Sequence, residues 1–574
     1  MSRNPRRDLL LLLLILSASL APMLVQLGLR RPKDWMESVA VLSSQETWMR
    51  QHAGESQAWL MPTKNGVPRI VKPPLVVWMN MLAWVDLDPE SFQTAQLVVR
   101  ARLMSVLMTV VMLLGIYWIG RMLEDETLGL IAVAVAGSLQ IVHLQARMAT
   151  YDIHLAAWAT VSVAAALWAM RPFGGAPSRG RWLVGWAMSG LGLGLAWLSK
   201  GPLAIVLVLM PLAVVIALAP RRRNRSIVGA TAALLIAALV ALPWYFFTAA
   251  NIPHAWDSWH FEFRATGPDT QRSWSFYLVN LFRMTLPWTI WIVGGLVLPF
   301  WVRSPQQRRK RLIPSLWFLL LLVMYSCIGS KEIRYIIPVA PALSLLIAYL
   351  WWHHEALARQ GNIDRGTRPL IVMHWIGLLV AALAFGPFLA TQDRLAEMGL
   401  IKRMLIDPLP WSMAIAATGL LLAVTILGWR WHGQWRPKRA ALATAAWTLV
   451  AATVFRHGFA HSHDPIEAVE QTSQRVVGII GDAPFVAMRS EGYMLPRYQF
   501  LLYLRRTVRS YWPKQLNRYL AQAQGEVFVM SSNDEGAHQV MQAAGCELLF
   551  EFEDLPGKEH VLWHCDGSQP LEGD

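Results

Sequence analysis

The sequence predicts an all-α polytopic membrane protein of about thirteen transmembrane helices, with interfacial helices in its outer loops and a C-terminal extracytoplasmic α/β domain. Three observations predict it. The 574-residue chain is 55% hydrophobic and only 16% charged, with a mean hydropathy of +0.36, where soluble domains average about 45–50% apolar and 25% charged. Apolar runs long enough to cross a bilayer recur along the first 460 residues. Beyond residue 460 the composition turns to that of a water-soluble domain. Disorder, a fibrous repeat and a water-soluble globule are excluded for most of the chain. Three cysteines exclude a disulfide scaffold or a multi-cysteine metal cluster.

The runs at 8–29, 98–120, 126–143, 152–170, 182–199, 201–219 and 227–247 each read as one span. Those at 282–303, 312–329, 335–352, 369–390, 410–430 and 438–456 read likewise. The first follows Arg3, Arg6 and Arg7 as a signal peptide would, but it runs on without a clear small-x-small cleavage site and reads as a retained anchor. Arginine and lysine clusters at 171–181, 221–225, 308–311 and 430–439 fall in alternate short loops, which places those loops and the N-terminus in the cytoplasm. The net charge of +15 is therefore topological, and no nucleic-acid partner is expected. An odd number of spans leaves the C-terminus outside.

The expected organisation is a transmembrane domain over 1–460, with outer loops at 30–97 and 248–281, and an extracytoplasmic α/β domain over 461–574. Both loops mix charge with Trp, Phe and Pro; Gln57–Met61 and Trp78–Trp84 read as helices in the interface plane. In the last domain, Val476–Ile480, Pro484–Met488, Glu526–Met530, Glu547–Phe550 and His560–His564 read as strands, and 466–475, 512–523 and 534–543 as helices. Cys546 and Cys565 each border a strand, so a disulfide between strand ends is open to them on the oxidising side; geometry decides. Cys327 reads as packing within a span.

Ionisable groups near membrane depth are costly and are functional candidates by default. Four clusters map to the outer face. Asp34 and Glu37 follow the first span; they read either as a capping box or as a base or metal ligand. Lys72, in a proline-rich elbow between Pro68 and Pro73, suits a phosphate or a lipid headgroup. Arg147 and Asp152 lie between the third and fourth spans, with Asp152 either a helix cap or an active-site acid and Arg147 its partner. Lys331, Arg334 and Tyr335 crowd the mouth of a span, as an anion clamp or as interfacial anchors. Ser199-Lys200-Gly201-Pro202 reads as a turn between spans, with Lys200 structural or headgroup-binding. Together the carboxylates and cations suit an acceptor hydroxyl attacking a sugar on a lipid-borne phosphate: a carboxylate takes the proton and the cations stabilise the departing phosphate. No Walker or Rossmann glycine loop offers a soluble nucleotide a seat.

The ordered motifs resemble the C-type polytopic glycosyltransferases, in the branch containing lipid A aminoarabinose transferases and protein O-mannosyltransferases. They are Met36-Glu37-Ser38, Gln45-Glu46-Thr47, Asn65-Gly66-Val67-Pro68, Lys72-Pro73-Pro74-Leu75, Arg102 to Ser105, Arg147 to Asp152, Ser199 to Pro202, Pro243-Trp244-Tyr245 and Ser330 to Pro338. The resemblance implies an enzyme moving a monosaccharide from a polyprenyl-phosphate carrier to an extracytoplasmic lipid, protein or glycan. It also implies a first-loop acid as base, a second-loop acid supporting it, and Lys72, Arg147, Lys331, Arg334 and Tyr335 on the carrier phosphate. The family's first-loop Asp stands here as Met36, leaving Glu37 as the candidate and Asp34 in reserve. The family's Glu before Lys-Pro-Pro is Val71, and its second-loop histidine has only His260, beside Glu262, as a near match, so no divalent metal cofactor is expected with any certainty. The alternatives are a transporter or lipid flippase, and a non-catalytic relative binding glycan through its outer domain.

Overall fold

The computed structural model describes residues 5–29, 32, 35–219, 223–264, 271–362, 366–401, 407–457, 465–490, 498–555 and 558–566. The chain falls into two compact units: Met1–Leu27, Val71–Val76 and Arg102–Ala460 form the first, and Gly28–Ile70, Val77–Ala101 and His461–Asp574 the second. In chain order the first helices are α1 (Pro5–Leu24), α2 (Trp35–His52), α3 (Leu75–Ala83), α4 (Thr94–Leu123), α5 (Glu126–Ser138), α6 (Gln140–Ala146), α7 (Tyr151–Met170), α8 (Arg179–Lys200), α9 (Leu203–Leu218), α10 (Arg223–Asn251) and α11 (Ala255–Arg264). Then follow α12 (Phe276–Met284), α13 (Thr289–Trp301), α14 (Pro305–Cys327), α15 (Ala340–Arg359), α16 (Arg368–Glu397), α17 (Trp411–Gly433) and α18 (Pro437–His457).

Every apolar run of the sequence falls on helical chain. Among the described residues nine helices are long and apolar enough to cross a membrane, and two bent pairs raise the number to eleven. The bends depart from one straight span per run. α5 and α6 meet at 66° around Leu139, whose backbone is extended, and α12 and α13 meet at 110° where Pro287 cannot donate to a helix ladder. Close packing has a local cause: Gly190 and Gly194 let α8 lie against α10, where an added Cβ would come within 2.7 Å of the Ala233 carbonyl and 2.6 Å of Val240.

In the second unit α2 buries most of its length. The proline-rich elbow is a hairpin of β1 (Thr63–Lys64) and β2 (Val67–Pro68), turned by Asn65 and Gly66 at φ +52° and +73°. Glu46 on α2 holds that turn, accepting from Thr63 Oγ1 at 2.7 Å, Asn65 N at 2.6 Å and Gly66 N at 3.0 Å. Gln57–Met61 holds only a 3-10 turn, Ala58–Leu60, while Trp78–Trp84 overlaps α3.

Beyond α19 (Pro465–Ile480) come β3 (Phe485–Met488), α20 (Tyr498–Leu504), β4 (Arg509–Tyr511), α21 (Pro513–Gln522), β5 (Glu526–Ser532), α22 (Glu535–Ala543), β6 (Glu547–Leu555) and β7 (Lys558–Asp566). The strands form one mixed sheet in the order β4-β3-β5-β7-β6. Its core joins Val529, Trp563, Leu516 and Met541. Val476–Ile480, expected as a strand, is instead the end of α19. Buried Val469, Ser473, Val476 and Ile480 recur at helical spacing, and Val477 and Ile479 face out.

Cys546 and Cys565 form a disulfide closing a separation of 19 residues. Replacing both by alanine is expected to cost the sheet about 2–4 kcal/mol. Hydrogen exchange in β6 and β7 of the whole protein measures it, and unchanged protection would contradict it.

Candidate active site

Asp152 sits in the first turn of α7, which starts after an extended N-cap, Thr150; Asp152 is therefore inside the helix and not its cap. It is 1% exposed. Such a carboxylate needs partners, and the first unit supplies two. Lys200, the last residue of α8, places its Nζ on Asp152 Oδ1. Gly201 follows at φ +101°, a conformation suited to glycine, so the helix stops at Lys200 before α9 begins. Arg334 brings its Nε to 3.8 Å from Asp152 Oδ2, an oxygen that is buried and, among the described residues, accepts no hydrogen bond. Lys200 Nζ also stands 4.1 Å from the centroid of the Tyr335 ring, and the Arg334 guanidinium 5.4 Å from it. One carboxylate, two cations and a phenol thus share a nearly dry corner.

The segment carrying Arg334 and Tyr335 is tied in place. Lys331 Nζ donates to the Arg272 carbonyl at 3.0 Å, Tyr277 Oη donates to the Glu332 carbonyl at 3.1 Å, and Gln271 bridges to Ser330. Ile333–Val339 then winds as a 3-10 helix into α15.

Asp152, Lys200, Lys72 and Tyr335 line one cavity of about 490 Å³, within the usual range for small-molecule sites of about 300–1,000 Å³. Its remaining wall is aromatic and aliphatic. Trp259 stands 5.0 Å from Tyr245 and 5.2 Å from Trp256, centroid to centroid, with Trp197 6.1 Å from Tyr245. A charged end and a greasy wall suit an amphipathic anion, with its headgroup among the cations and its chain along the aromatics.

The structure brings Lys72, Asp152, Arg334 and Tyr335 together. Arg147, expected on the phosphate, is corrected. Its guanidinium donates to the carbonyls of Pro22, Met23, Val25 and Gln26 at 2.7–3.1 Å, satisfying carbonyls at and beyond the end of α1. Lys331 is buried, and its hydrogen bond to the Arg272 carbonyl gives it a bracing role. Glu37 lies in the second unit, 2% exposed in the first turn of α2. Asp34 and the side chain of Glu262 lie outside the described residues, while exposed His260 lines the cavity. Among the described residues no group of three or more His, Cys, Asp or Glu could hold a metal ion. Sequence reasoning missed Lys200 as the partner of Asp152; the signal was there, since Gly-Pro ends α8 directly after the lysine.

Residues 82–258 match the family described as Dolichyl-phosphate-mannose-protein mannosyltransferase. An undecaprenyl phosphate-alpha-4-amino-4-deoxy-L-arabinose arabinosyl transferase from Pseudomonas paraeruginosa is 30% identical over 407 residues, 68% of this chain and 67% of the relative. The crystal structure of apo ArnT from Cupriavidus metallidurans superposes with a TM-score of 0.70 at 16% identity, over 98% of each chain. The same protein bound to undecaprenyl phosphate gives 0.68 at 15% identity, over 98% of this chain and 99% of that one. These structural likenesses bear on the fold.

Proposed function

Because the chain belongs to the undecaprenyl-phosphate aminoarabinosyl transferase family of polytopic C-type glycosyltransferases, we propose that the Asp152 cavity is where its sugar transfer takes place. The protein is an integral membrane glycosyltransferase that uses a polyprenyl-phosphate-linked donor. The observation that carries the site is the single cavity joining a buried carboxylate, fixed cations and an aromatic wall. In the proposed reaction an acceptor oxygen attacks the anomeric carbon of a monosaccharide carried on undecaprenyl phosphate. The bond from that carbon to the phosphate oxygen breaks, and its electron pair stays on the phosphate. The acceptor's proton passes to a carboxylate, Glu37 as base with Asp152 in support. Lys72, Lys200 and Arg334 hold the charge that gathers on the leaving phosphate, and Tyr335 donates to it.

The proposed topology has thirteen spans: the nine long helices, the two bent pairs, α9 and α18. The N-terminus is cytoplasmic by its arginines, and the site and the C-terminal domain are extracytoplasmic, a placement the Cys546–Cys565 disulfide favours. The acceptor is a hydroxyl or phosphate oxygen of an extracytoplasmic lipid, protein or glycan.

Mass spectrometry of envelope lipids and proteins from cells with and without the gene tests this directly. A sugar mass should vanish without the gene, and an identical envelope would reject the reading. Within the site, Lys72→Ala and Tyr335→Phe are each expected to raise the KM for the carrier-linked donor about tenfold, one charge-assisted hydrogen bond's worth, with the acceptor KM unchanged. Equal effects on both substrates would remove them from the phosphate.

A further inference from the structure

Four helices that line the Asp152 cavity line a second cavity at their opposite ends. Asp152 opens α7, and Met170 and Arg171 close it; Leu203 opens α9 and Leu218 closes it. Tyr245 and Tyr325 lie late in α10 and α14, whose starts contribute Ser226 and Arg309 to the second cavity. Twenty residues of α7 at ~1.5 Å each put the two cavities about 30 Å apart.

The second cavity holds about 470 Å³. Among the described residues Arg171 and Arg309 both line it, and no carboxylate does. Among the described residues neither guanidinium has a hydrogen-bond or ion-pair partner. Nearby acids are already matched: Glu124 accepts from Lys310 at 2.8 Å, and Asp125 pairs with Arg359 at 3.9 Å. α14 also begins here, and the side chain of its N-cap, Ser304, makes no capping hydrogen bond. Pro305 has no N–H and Arg308 N donates to the Ser304 carbonyl at 2.9 Å, so the N–H groups of Gln306 and Gln307 are the ones left without a helical partner at the positive end of the helix. Positive charge in short loops orients a membrane protein wherever it lies on the surface. Orientation alone does not require two arginines around a concave, acid-free space.

We propose that this cavity binds a phosphate-bearing anion, gripped by the guanidinium forks of Arg171 and Arg309 against the first turn of α14. Basic pockets between transmembrane helices take anionic headgroups for the same reason. The bound group would brace, at one end, the four helices that shape the transfer cavity at the other. The phosphate has two sources, a lipid headgroup in the adjoining leaflet or a soluble phosphate.

The test uses the purified whole protein in nanodiscs. Thermal midpoints are compared between phosphatidylcholine discs, discs containing phosphatidylglycerol, and phosphatidylcholine discs titrated with inorganic pyrophosphate. A probe that fills the site at about 100 times its Kd should raise the midpoint by several degrees. A rise with phosphatidylglycerol alone assigns a headgroup, and a rise with pyrophosphate assigns a soluble ligand. Ala219→Phe fills the cavity yet keeps both arginines and hence the topology signal; it should abolish the rise. Arg171→Gln with Arg309→Gln should weaken binding about tenfold or more. No rise with either probe, or a rise that persists in Ala219→Phe, overturns the proposal; should the arginine variant fail to insert, Ala219→Phe decides alone.

Discussion

Asp152→Asn is expected to lower sugar transfer by about 10²- to 10⁴-fold, the range that a positioned acid–base group supplies. Asparagine keeps the size of the side chain and can still meet Lys200, so packing at the start of α7 changes little. What it loses is the negative charge at the centre of the cluster. Without that charge Lys200 and Arg334, the latter 3.8 Å away, repel one another across a space the carboxylate now neutralises. The site then holds the departing phosphate in the wrong register and has one base fewer. Glu37→Gln, in the first turn of α2, should cost a comparable factor through loss of the proton acceptor itself. Initial rates in membranes, with the amount of inserted protein measured in parallel, give the answer. Full activity in Asp152→Asn at normal insertion would remove Asp152 from the chemistry. A loss in Asp152→Asn with none in Glu37→Gln would move the base from α2 to α7.

The sequence carried the membrane part of the fold well because a bilayer imposes a length on any apolar helix, and nine of the described helices, or eleven with the two bent pairs, meet it. The bends did not show. Leu139 breaks its run without a proline, and Pro287 marks its own only once the chain direction on either side is seen. Near the C-terminus, Val476–Ile480 is rich in β-branched residues, and local preference named it a strand; burial of Val469, Val476 and Ile480 on one face decided for helix. Asp152 was legible as costly charge at membrane depth. Its true partner was harder to see. Arg147 is five residues away in sequence but caps α1, whereas Lys200, 48 residues on, reaches the carboxylate because α7 and α8 pack side by side. Nearness along the chain favoured the wrong cation, and a Gly-Pro turn masked the right one.

Lys200 therefore carries the second large expectation. Lys200→Met leaves Asp152 buried with Arg334 as its remaining ion-pair partner among the described residues, and removing one partner of a buried pair costs about 3–5 kcal/mol. Transfer should fall by about 100-fold or more, because the cation closest to the carboxylate and the Tyr335 ring is gone. Loss of activity alone would not separate a collapsed site from a lost phosphate contact, but a double-mutant cycle does. In Asp152→Asn with Lys200→Met no unpaired charge remains on either helix, so thermal stability should return most of the way to that of the parent while transfer stays absent. Lys200→Arg keeps the charge on a longer, planar head; it should hold stability and restore only part of the rate. If the double variant is as unstable as Lys200→Met, the pair does not set the packing of α7 on α8. If Lys200→Met transfers sugar at the parental rate, the corner around Asp152 holds charge for the fold and not for the phosphate, and the cations that matter are Lys72 and Arg334.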